Sequence, residues 1–598
     1  MNRTGRFWAL AVLLAVGLPG VLNATMQDPV PLGPQPADSS ADSTAVLDSI
    51  KFLPVAPDET PLGPLAPGNR ITFDRESILW SGALTVADLL AGISGVYVAR
   101  GGFFGQPEYV LYAGNGPASV EVYWDGMPFV PVGGDSIYVD LGRVPLSYLK
   151  MVQVELLPTS LVIYLVSERT AEIEPRSKIE VLSGAFNTAH YAGLFQRRWQ
   201  NGFGLNLAAD FGESRVQPLS SNVSRALDVW VKLDWLPREG KSGAVYQFRR
   251  QEMDRDERTG LGSAIVPARN GRRTDVQFRL FTGTRPDHLG LFGEIGFGTN
   301  GWITDSGAVG QEDIPDRIVQ HAFGSVRFST ANFVAQATTR IADSYTTRST
   351  EGRLGWVPVT GIALSALGRQ RDFIGARSAT DGTVSASLYY GPLSLVGSWH
   401  GGTVVQAPSI LSDSGQAVVG SSLRMNITTK PLSGTVALER RGAFLPLAPP
   451  DFPQIPSLDS VDQATYLVGK LQLRPLQPLF FTGSMNIPQT AGAVSGLQPP
   501  RHGRFDVTFR SKFFRTFQSG TFDLLLRYGV EFWGAGSIGA QTPIQANNIH
   551  DWVIQFRIVG FTGFFHLRNS TLADVEFVPG LTYPANAQTF GVKWEFRN

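Results

Sequence analysis

Alternation of apolar and polar residues with a period of two recurs from Lys178 to the end of the chain. One segment places Leu227, Val229, Val231, Leu233 and Trp235 on one face and Asp228, Lys232 and Asp234 on the other. Similar segments run from Phe522 to Phe532 and from Trp552 to Ile558. A period of two with one apolar face is typical of β-strands. We count about 22 such segments of roughly ten to fourteen residues, long enough to cross a bilayer on a tilt.

The second face of these segments carries charged residues too often for the packed interior of a soluble sandwich. It suits a polar lumen behind a lipid-facing wall, as in an outer-membrane barrel. Short links such as 199–202 and 429–431 tend to alternate with long links such as 407–416 and 443–462, which predicts one rim of turns and one rim of loops. The sequence therefore predicts a membrane all-β protein, a 22-stranded antiparallel transmembrane β-barrel. In one strand we predict that the lumen receives Gln555 and Arg557, and that lipid contacts Trp552, Ile554, Phe556 and Ile558.

The stretch from Thr85 to Val181 has a different pattern and predicts a small α+β unit. Thr85 is a suitable N-cap for a short helix that carries Val86 and Leu89, and Gly95 ends that helix. A strand over 120–124 precedes a strong turn signal at Asp125-Gly126. Further along, we predict a strand over 96–98, a second short helix over 146–151 and a strand over 152–156.

Three phrases in this stretch resemble the plug domain of TonB-dependent outer-membrane receptors. The family has a Pro-Gly-Val-x-Val phrase, an Asp-Gly-x-Pro phrase, and a Val-Pro turn followed by Val-Glu-Val. The matching plug-motif residues stand in the family's order: Gly95, Val96, Val98, Asp125, Gly126, Pro128, Val144, Pro145, Val154 and Glu155. The alternative is an unrelated soluble α+β domain. The last predicted strand is aromatic, with Phe590, Trp594 and Phe596 on one face. Together with this strand and the strand count, the resemblance implies a plug that lies inside the barrel lumen.

The chain departs from the family pattern at three places. Ser94 replaces the usual proline, Val110 is not followed by the usual Arg-Gly, and no glycine occurs between Leu161 and Ala171. In the family the Arg-Gly phrase and the glycine-rich turn before the barrel shape the contact between the plug and the barrel wall. The departures therefore concern plug movement rather than the fold.

The N-terminal part of the chain predicts export followed by a linker. Residues 1–24 have the positive start, apolar centre and small-residue end of a signal peptide. Residues 25–70 are rich in proline and unsuited to a packed core. By resemblance, this linker would hold a TonB box that adds a strand to the energising protein, and our candidate is Val46, Leu47, Asp48, Ser49 and Ile50. We expect the plug domain over 71–176 and the barrel over 177–598.

Composition and motifs narrow the function. The chain has 598 residues, a formal net charge of zero and no cysteine. Zero charge argues against a nucleic-acid partner, and the missing cysteines exclude disulfides and thiolate metal sites. The sequence has no Gly-x-Ser-x-Gly or His-Glu-x-x-His motif, and its acidic pairs fall in predicted outer loops. We therefore expect no enzyme activity, no catalytic residues, no cofactor and no bound metal.

The resemblance implies a receptor of the cell outer membrane that imports a scarce, bulky nutrient, such as a siderophore, cobalamin or a glycan. The plug would move when the TonB complex of the inner membrane acts on the N-terminal segment, and the barrel would be a monomer surrounded by outer-membrane lipid. The alternative is a plugged barrel that no longer transports and has a structural or surface-interaction role. Ligand would bind at the outer apices of the plug, where the candidates are Arg100, Phe103, Phe104, Gln106, Glu108, Tyr109, Tyr112, Phe129 and Asp135.

Overall fold

The computed structural model describes most of the chain after its N-terminal region. The described residues are 52–60, 69–131, 139–215, 223–237, 240–261, 265–283, 288–304, 316–409, 413, 415–447, 449–453, 460–489, 499, 501–513, 516–517, 521–538, 542–571, 573 and 575–597.

The elements of the first third form a small α+β unit, which we call the plug. Its helices are α1 (Arg75–Trp80) and α2 (Val86–Leu90), and two 3-10 turns cover Pro117–Ser119 and Leu141–Arg143. Its strands are β1 (Arg70–Phe73), β2 (Val96–Arg100), β3 (Glu108–Tyr112), β4 (Val120–Trp124), β5 (Met127–Pro128), β6 (Leu149–Leu156) and β7 (Leu161–Ser167). No helix of the described chain is long and apolar enough to cross a membrane.

The plug strands make a five-stranded sheet in the order β1-β6-β7-β4-β5, beside a separate β2-β3 hairpin. The β4–β7 pair is parallel, and the other pairs are antiparallel. The predicted cap is present, since the Thr85 hydroxyl accepts a hydrogen bond from the Asp88 amide at 3.2 Å. The predicted helix over 146–151 is wrong, because strand β6 already begins at Leu149 and pairs with β7.

The remaining long strands form a barrel of 22 strands. In chain order these are β8 (Arg176–Gly184), β9 (Thr188–Arg198), β10 (Phe203–Arg215), β11 (Val223–Trp235), β12 (Ser242–Arg255), β15 (Arg269–Thr282), β16 (Gly290–Thr304), β17 (Arg317–Ser329), β18 (Phe333–Ala342), β19 (Thr346–Val359), β20 (Ile362–Phe373), β21 (Arg377–Tyr390), β22 (Leu393–Val404), β23 (Gln416–Thr428), β24 (Leu432–Arg441), β25 (Ala464–Leu476), β26 (Leu479–Pro488), β27 (His502–Ser511), β28 (Phe522–Trp533), β31 (Asn547–Ile558), β32 (Phe561–Arg568) and β35 (Ala587–Arg597). Short hairpins in the loops supply β13 (Arg258–Thr259), β14 (Ile265–Val266), β29 (Gly536–Ile538), β30 (Thr542–Ile544), β33 (Val575–Val578) and β34 (Leu581–Tyr583).

The barrel closes between its first and last strands. Strand β35 pairs antiparallel with β8, with Val592 opposite Val181. Closure leaves no unpaired edge for lipid to contact, which a membrane-spanning sheet requires. The predicted 22-stranded antiparallel barrel is confirmed. One rim carries turns such as 391–392 and the other carries loops such as 442–463, so we take the loop rim as extracellular.

The barrel wall has an apolar outer face and a polar inner face. In β31, Trp552, Ile554 and Ile558 expose 47%, 43% and 47% of their surface, whereas Asp551 and Gln555 expose 3% and 2%. The outward residues therefore form the lipid-facing side of this strand, as the alternation in the sequence predicts. The inward residues meet the plug.

The plug contacts the inner wall on several sides. Gln555 of β31 donates a hydrogen bond to the Leu79 carbonyl at 3.0 Å. Tyr148 of the plug contacts the Asp228 carboxylate of β11 at 3.0 Å, and its ring stacks on that of Trp230 at 5.1 Å. The core of the plug, formed by apolar residues of α2 and the sheet, continues onto Trp230 of the wall. The plug thus fills the lumen instead of docking outside it.

Candidate functional site

The Asp-Gly turn of the plug is a buried electrostatic contact with the wall. Asp125 and Gly126 join β4 to β5 with φ angles of 44° and 82°, a combination that suits Asp-Gly in a two-residue hairpin. The Asp125 carboxylate accepts a hydrogen bond from the Ser167 amide at 3.0 Å and lies 3.1 Å from Lys232 Nζ on β11. The turn therefore fixes both the plug sheet and its position against the barrel.

Residues 52–60, which we call the N-terminal strap, lie against the turn-rim end of the plug and wall. Arg169 holds the strap: its guanidinium donates to the carbonyl oxygens of Ala56 at 2.7 Å and Pro57 at 2.8 Å and to Glu59 at 2.6 Å. The Leu53 amide also donates to the Ala171 carbonyl at 2.9 Å. The strap is thus tied to the segment that links the plug to the first barrel strand.

Glu59 is the most deeply paired group of the strap. Its side chain is 3% exposed and forms ion pairs with Arg169 and with Arg279 of β15. A Cβ atom at Gly126 would lie 3.0 Å from the Glu59 Cβ, so the strap packs directly on the Asp-Gly turn. Burial opposes ionisation of this carboxyl, but Arg169 and Arg279 hold its pKa well below the usual range. Glu59 is therefore an anion in the folded protein.

A cavity of about 230 Å³, which we call the outer chamber, lies between the plug and strands β16 to β22 near the loop rim. Plug residues Phe129 and Pro131 and wall residues His321, Arg340 and Phe373 are among those that line it. Most of the lining is apolar, with a few convergent polar groups, which is typical of a ligand pocket. The outer chamber is therefore a candidate ligand site.

Glu121 fixes the charge on one side of the outer chamber. It accepts hydrogen bonds from Arg369 at 2.8 Å and Arg371 at 2.7 Å, both on β20. Burial opposes ionisation, but the two guanidinium groups outweigh it and lower the pKa of Glu121 to about 2. The chamber thus holds a neutralised acid together with Arg340, whose guanidinium lies 5.2 Å from the centre of the Tyr123 ring.

A second cavity of about 50 Å³, the middle chamber, lies deeper in the lumen. Tyr123 and Arg340 line both chambers, so the two meet at these side chains. The strap residues 57–60 line the middle chamber together with wall residues of β15 to β19. Tyr123 and Arg340 therefore lie between the outer chamber and the middle chamber that the strap lines.

The first predicted apex, between β2 and β3, is covered. Tyr109 donates a hydrogen bond to Asp451, which comes from the loop between β24 and β25 and is itself paired with Arg255 at 2.7 Å. The Tyr97 hydroxyl donates to the Phe577 carbonyl of another loop at 3.1 Å. Four loops thus bury this apex under an apolar cluster that includes Val266, Phe452, Ile544 and Leu581.

Charged residues of this apex pair inside the protein. Arg100 is 2% exposed and pairs with Glu108 and with Asp88 at 2.9 Å. Asp88 also binds Arg568 of β32 at 2.9 Å. These groups tie the apex to helix α2 and the wall, so they do not face an open site in this conformation.

The other residues predicted at this apex are also enclosed. The Phe103 ring meets the Phe186 and Tyr583 rings edge-on, and the Phe104 ring meets His190. The Tyr112 hydroxyl accepts a hydrogen bond from Arg424 of β23 at 3.3 Å. Gln106 is 2% exposed, and its side-chain amide has no hydrogen-bond partner. Of the predicted apex residues that are described, Phe129 is the one that lines the outer chamber.

The plug-motif residues have structural positions. Gly95 has a φ of 83° beside Val468, and Val96 pairs with Tyr112 in the β2-β3 hairpin. Pro128 lines the outer chamber, and Pro145 forms a β-bridge with Thr85. Glu155 is fully buried and pairs with Arg70 at 2.8 Å and with Arg353 of β19 at 2.9 Å.

The predicted signal peptide, the TonB-box candidate Val46 to Ile50 and Asp135 lie outside the described residues. Sequence reasoning missed Glu59, Arg169 and Arg340. Charge alone could not single them out, because isolated arginines and glutamates also occupy ordinary loops and lumen positions.

Comparisons with known proteins agree with this geometry. Residues 65–163 match the family model described as the TonB-dependent Receptor Plug Domain. Residues 65–163 are thus a TonB-dependent receptor plug domain, and together with the closed 22-stranded barrel they place the protein in the bacterial outer membrane. A search of curated proteins finds no match.

Solved structures similar to this receptor share its fold at low sequence identity. A mutant of the ferric enterobactin receptor PfeA from Pseudomonas aeruginosa is 10% identical, with a TM-score of 0.66 over 89% of this chain and 98% of that one. The siderophore receptor PirA from Acinetobacter baumannii is 9% identical, with a TM-score of 0.65 over 88% of this chain and 98% of that one. BauA, the ferric preacinetobactin receptor of the same species, is 13% identical, with a TM-score of 0.62 over 89% of this chain and 96% of that one.

Proposed function

We propose that this receptor imports a scarce small-molecule or oligomeric nutrient across the outer membrane, with energy supplied through TonB. The observation that carries the proposal is a plug domain that fills a closed barrel and leaves a ligand-sized cavity beside it. A passive pore would not need a plug held to the wall by buried ion pairs such as Asp125–Lys232. Energised plug movement accounts for both the block and the cavity.

The outer chamber is the proposed first binding site. Phe129 lines it, and Arg340 and His321 supply polar groups among apolar walls. Structures named as siderophore receptors share the fold, which makes an iron-chelate ligand one option to test. The TonB contact is assigned to Val46 to Ile50, the only apolar stretch of the Pro-rich linker suited to adding a strand to a partner.

Filling the outer chamber should abolish ligand binding. Val319 is 3% exposed and lines the chamber, whereas its neighbour Ile318 is 64% exposed on the outer face of β17. We expect Val319→Trp to lose any small molecule that wild-type receptor retains from culture supernatant, as measured by mass spectrometry of the purified protein. Ile318→Trp is the matched control and should retain it.

Equal retention by the two variants would place the ligand elsewhere. Heat-modifiable migration in gels should show that both barrels are folded. A receptor that retains nothing and does not bind TonB would instead be the non-transporting plugged barrel.

A further inference from the structure

The middle chamber combines a cationic wall with an acidic strap. Four arginines of the barrel line it, and four carboxylates face them, two of which belong to the strap. The arginines are Arg279, Arg327, Arg340 and Arg353, and the carboxylates are Asp58 and Glu59 of the strap and Glu294 and Glu351 of the wall. Without the strap, the same wall would carry twice as many cations as anions.

Two of the wall arginines form no salt bridge with a carboxylate among the described residues, although Glu294 acts electrostatically on Arg327 and Arg340 on Glu351. Arg327 lies over the Phe292 ring at 4.5 Å, and Arg340 lies over the Tyr123 ring at 5.2 Å. The Nε atom of each is buried without a hydrogen-bond partner. Because aromatic rings hold these guanidinium groups in place, their charges are positioned along the cavity and remain available to an anion.

The strap separates the middle chamber from the turn rim. Pro57 to Thr60 line the chamber, while Ala56 packs among Leu236, Val245, Phe281 and Phe292 at the turn-rim ends of strands β11 to β16. Asp58 is held by Lys150 at 2.8 Å, and Glu59 by Arg169 and Arg279. The strap therefore closes the lumen space on its periplasmic side through charged contacts.

We infer that residues 57–60 act as an acidic stopper in a cationic passage along the β15–β20 wall, and that the nutrient using this passage is an anion. The inference rests on the proposed function, because it assumes that the passage serves import. The strap precedes every helix and strand of the plug in the chain. A pulling force applied before residue 52 would therefore act on the strap before it acts on the plug sheet.

Withdrawal of the strap would change the charge of the passage. Removing Asp58 and Glu59 leaves four arginines and two carboxylates of the wall around the chamber, with Arg279 still paired with Glu294 at 3.1 Å. This excess of positive charge in a lumen with low-dielectric walls attracts anions and repels cations. Arg340 also lines the outer chamber, so an anion bound there would lie next to this region. An anionic nutrient would thus take the place of Glu59 beside Arg279 and would also meet Arg327 and Arg340.

Ion selectivity of a strap variant tests the inference without a known nutrient. Purified full-length receptor is placed in planar bilayers under a potassium chloride gradient, and conductance and reversal potential are recorded. We expect wild type to stay closed and Asp58→Ala/Glu59→Ala to conduct with a chloride preference of roughly ten-fold over potassium. Adding Arg327→Gln and Arg340→Gln should remove most of that preference.

Two controls separate strap release from damage. Glu174→Ala removes an exposed periplasmic carboxylate outside the strap and should stay closed. Since the chain has no cysteine, a single Ala56→Cys thiol reports strap release by maleimide labelling, and heat-modifiable migration reports the fold. If single Asp58→Ala or Glu59→Gln is used because the double variant folds poorly, the same chloride preference is expected at lower conductance.

The inference would be overturned by a folded variant whose strap is released, as shown by maleimide labelling of Ala56→Cys, but which stays closed. It would also be overturned if such a variant conducts potassium as well as chloride. Neither result would bear on whether the receptor binds TonB, and TonB binding tests the proposed function separately. Conversely, absence of TonB binding would leave a measured chloride preference intact.

Discussion

At the residue scale, the alternation of the strands determines what each position tolerates. Ile554 faces lipid and exposes 43% of its surface, whereas Arg557 of the same strand faces inward and pairs with Glu76 at 2.9 Å. We expect Ile554→Arg to destabilise the barrel by about 2–4 kcal/mol, because a charge would enter the lipid-facing side. Folding into bilayers under urea titration measures the change.

Arg557→Gln is the control for that substitution. Its ion pair with Glu76 is partly exposed, and such pairs contribute about 0–1 kcal/mol. A loss of stability as large as that of Ile554→Arg would show that the assigned faces are wrong.

Some residue roles could be predicted from the sequence, and others could not. Thr85, Asp125 and Gly126 could be assigned because capping and tight turns depend on local geometry. Glu59, Arg169 and Arg279 could not, because their pairing joins parts of the chain more than a hundred residues apart. The apex residues Arg100 and Tyr109 were expected to face ligand, yet loop contacts that no local pattern reveals enclose them.

At the element scale, the strap is held by groups that stay charged in mild acid. Glu59 faces Arg169 between β7 and β8, Arg279 and Lys232 of the wall, and Asp58 beside it. Its pKa is lowered, so its ion pairs contribute fully above the ordinary carboxyl pKa of about 4.5. That contribution is lost only as the pH falls through the lowered value.

We therefore expect the wild-type receptor to stay closed in planar bilayers as the pH is stepped from 8 to 5. Opening should require strong acid, while Asp58→Ala/Glu59→Ala should conduct throughout the same range. A wild-type channel that opens between pH 6 and pH 5 would mean that a group with a higher pKa, and not Glu59, controls closure.

The elements themselves were largely predictable. Strands with one lipid-facing side and one lumen side keep a clear period of two, and the predicted set closes into the observed barrel. The error at 146–151 arose because β6 starts irregularly. Its pairing with β7 shifts register between Leu149 and Met151, and the consecutive apolar residues Met151 and Val152 interrupt the strand alternation. The strap was not predicted, because a Pro-rich segment gains its order from the lumen around it.

At the scale of the whole molecule, plug and wall form one electrostatic unit. Plug carboxylates at Glu76, Asp88, Glu121 and Glu155 each pair with arginines of the barrel. The contacts surround the plug, so its displacement as one body would break many buried pairs together. Release of the strap alone breaks few, which favours a passage that opens at one side of the plug.

The proposed function requires TonB to act on this receptor through its N-terminal segment. Calorimetry of purified receptor with the TonB C-terminal domain measures whether the two proteins bind. We expect wild type to bind and Leu47→Pro to lose binding, because proline removes a backbone donor that strand pairing needs. The amount of heat-modifiable barrel should be unchanged in the variant. A wild-type receptor that does not bind the TonB domain would contradict TonB-dependent import by this receptor.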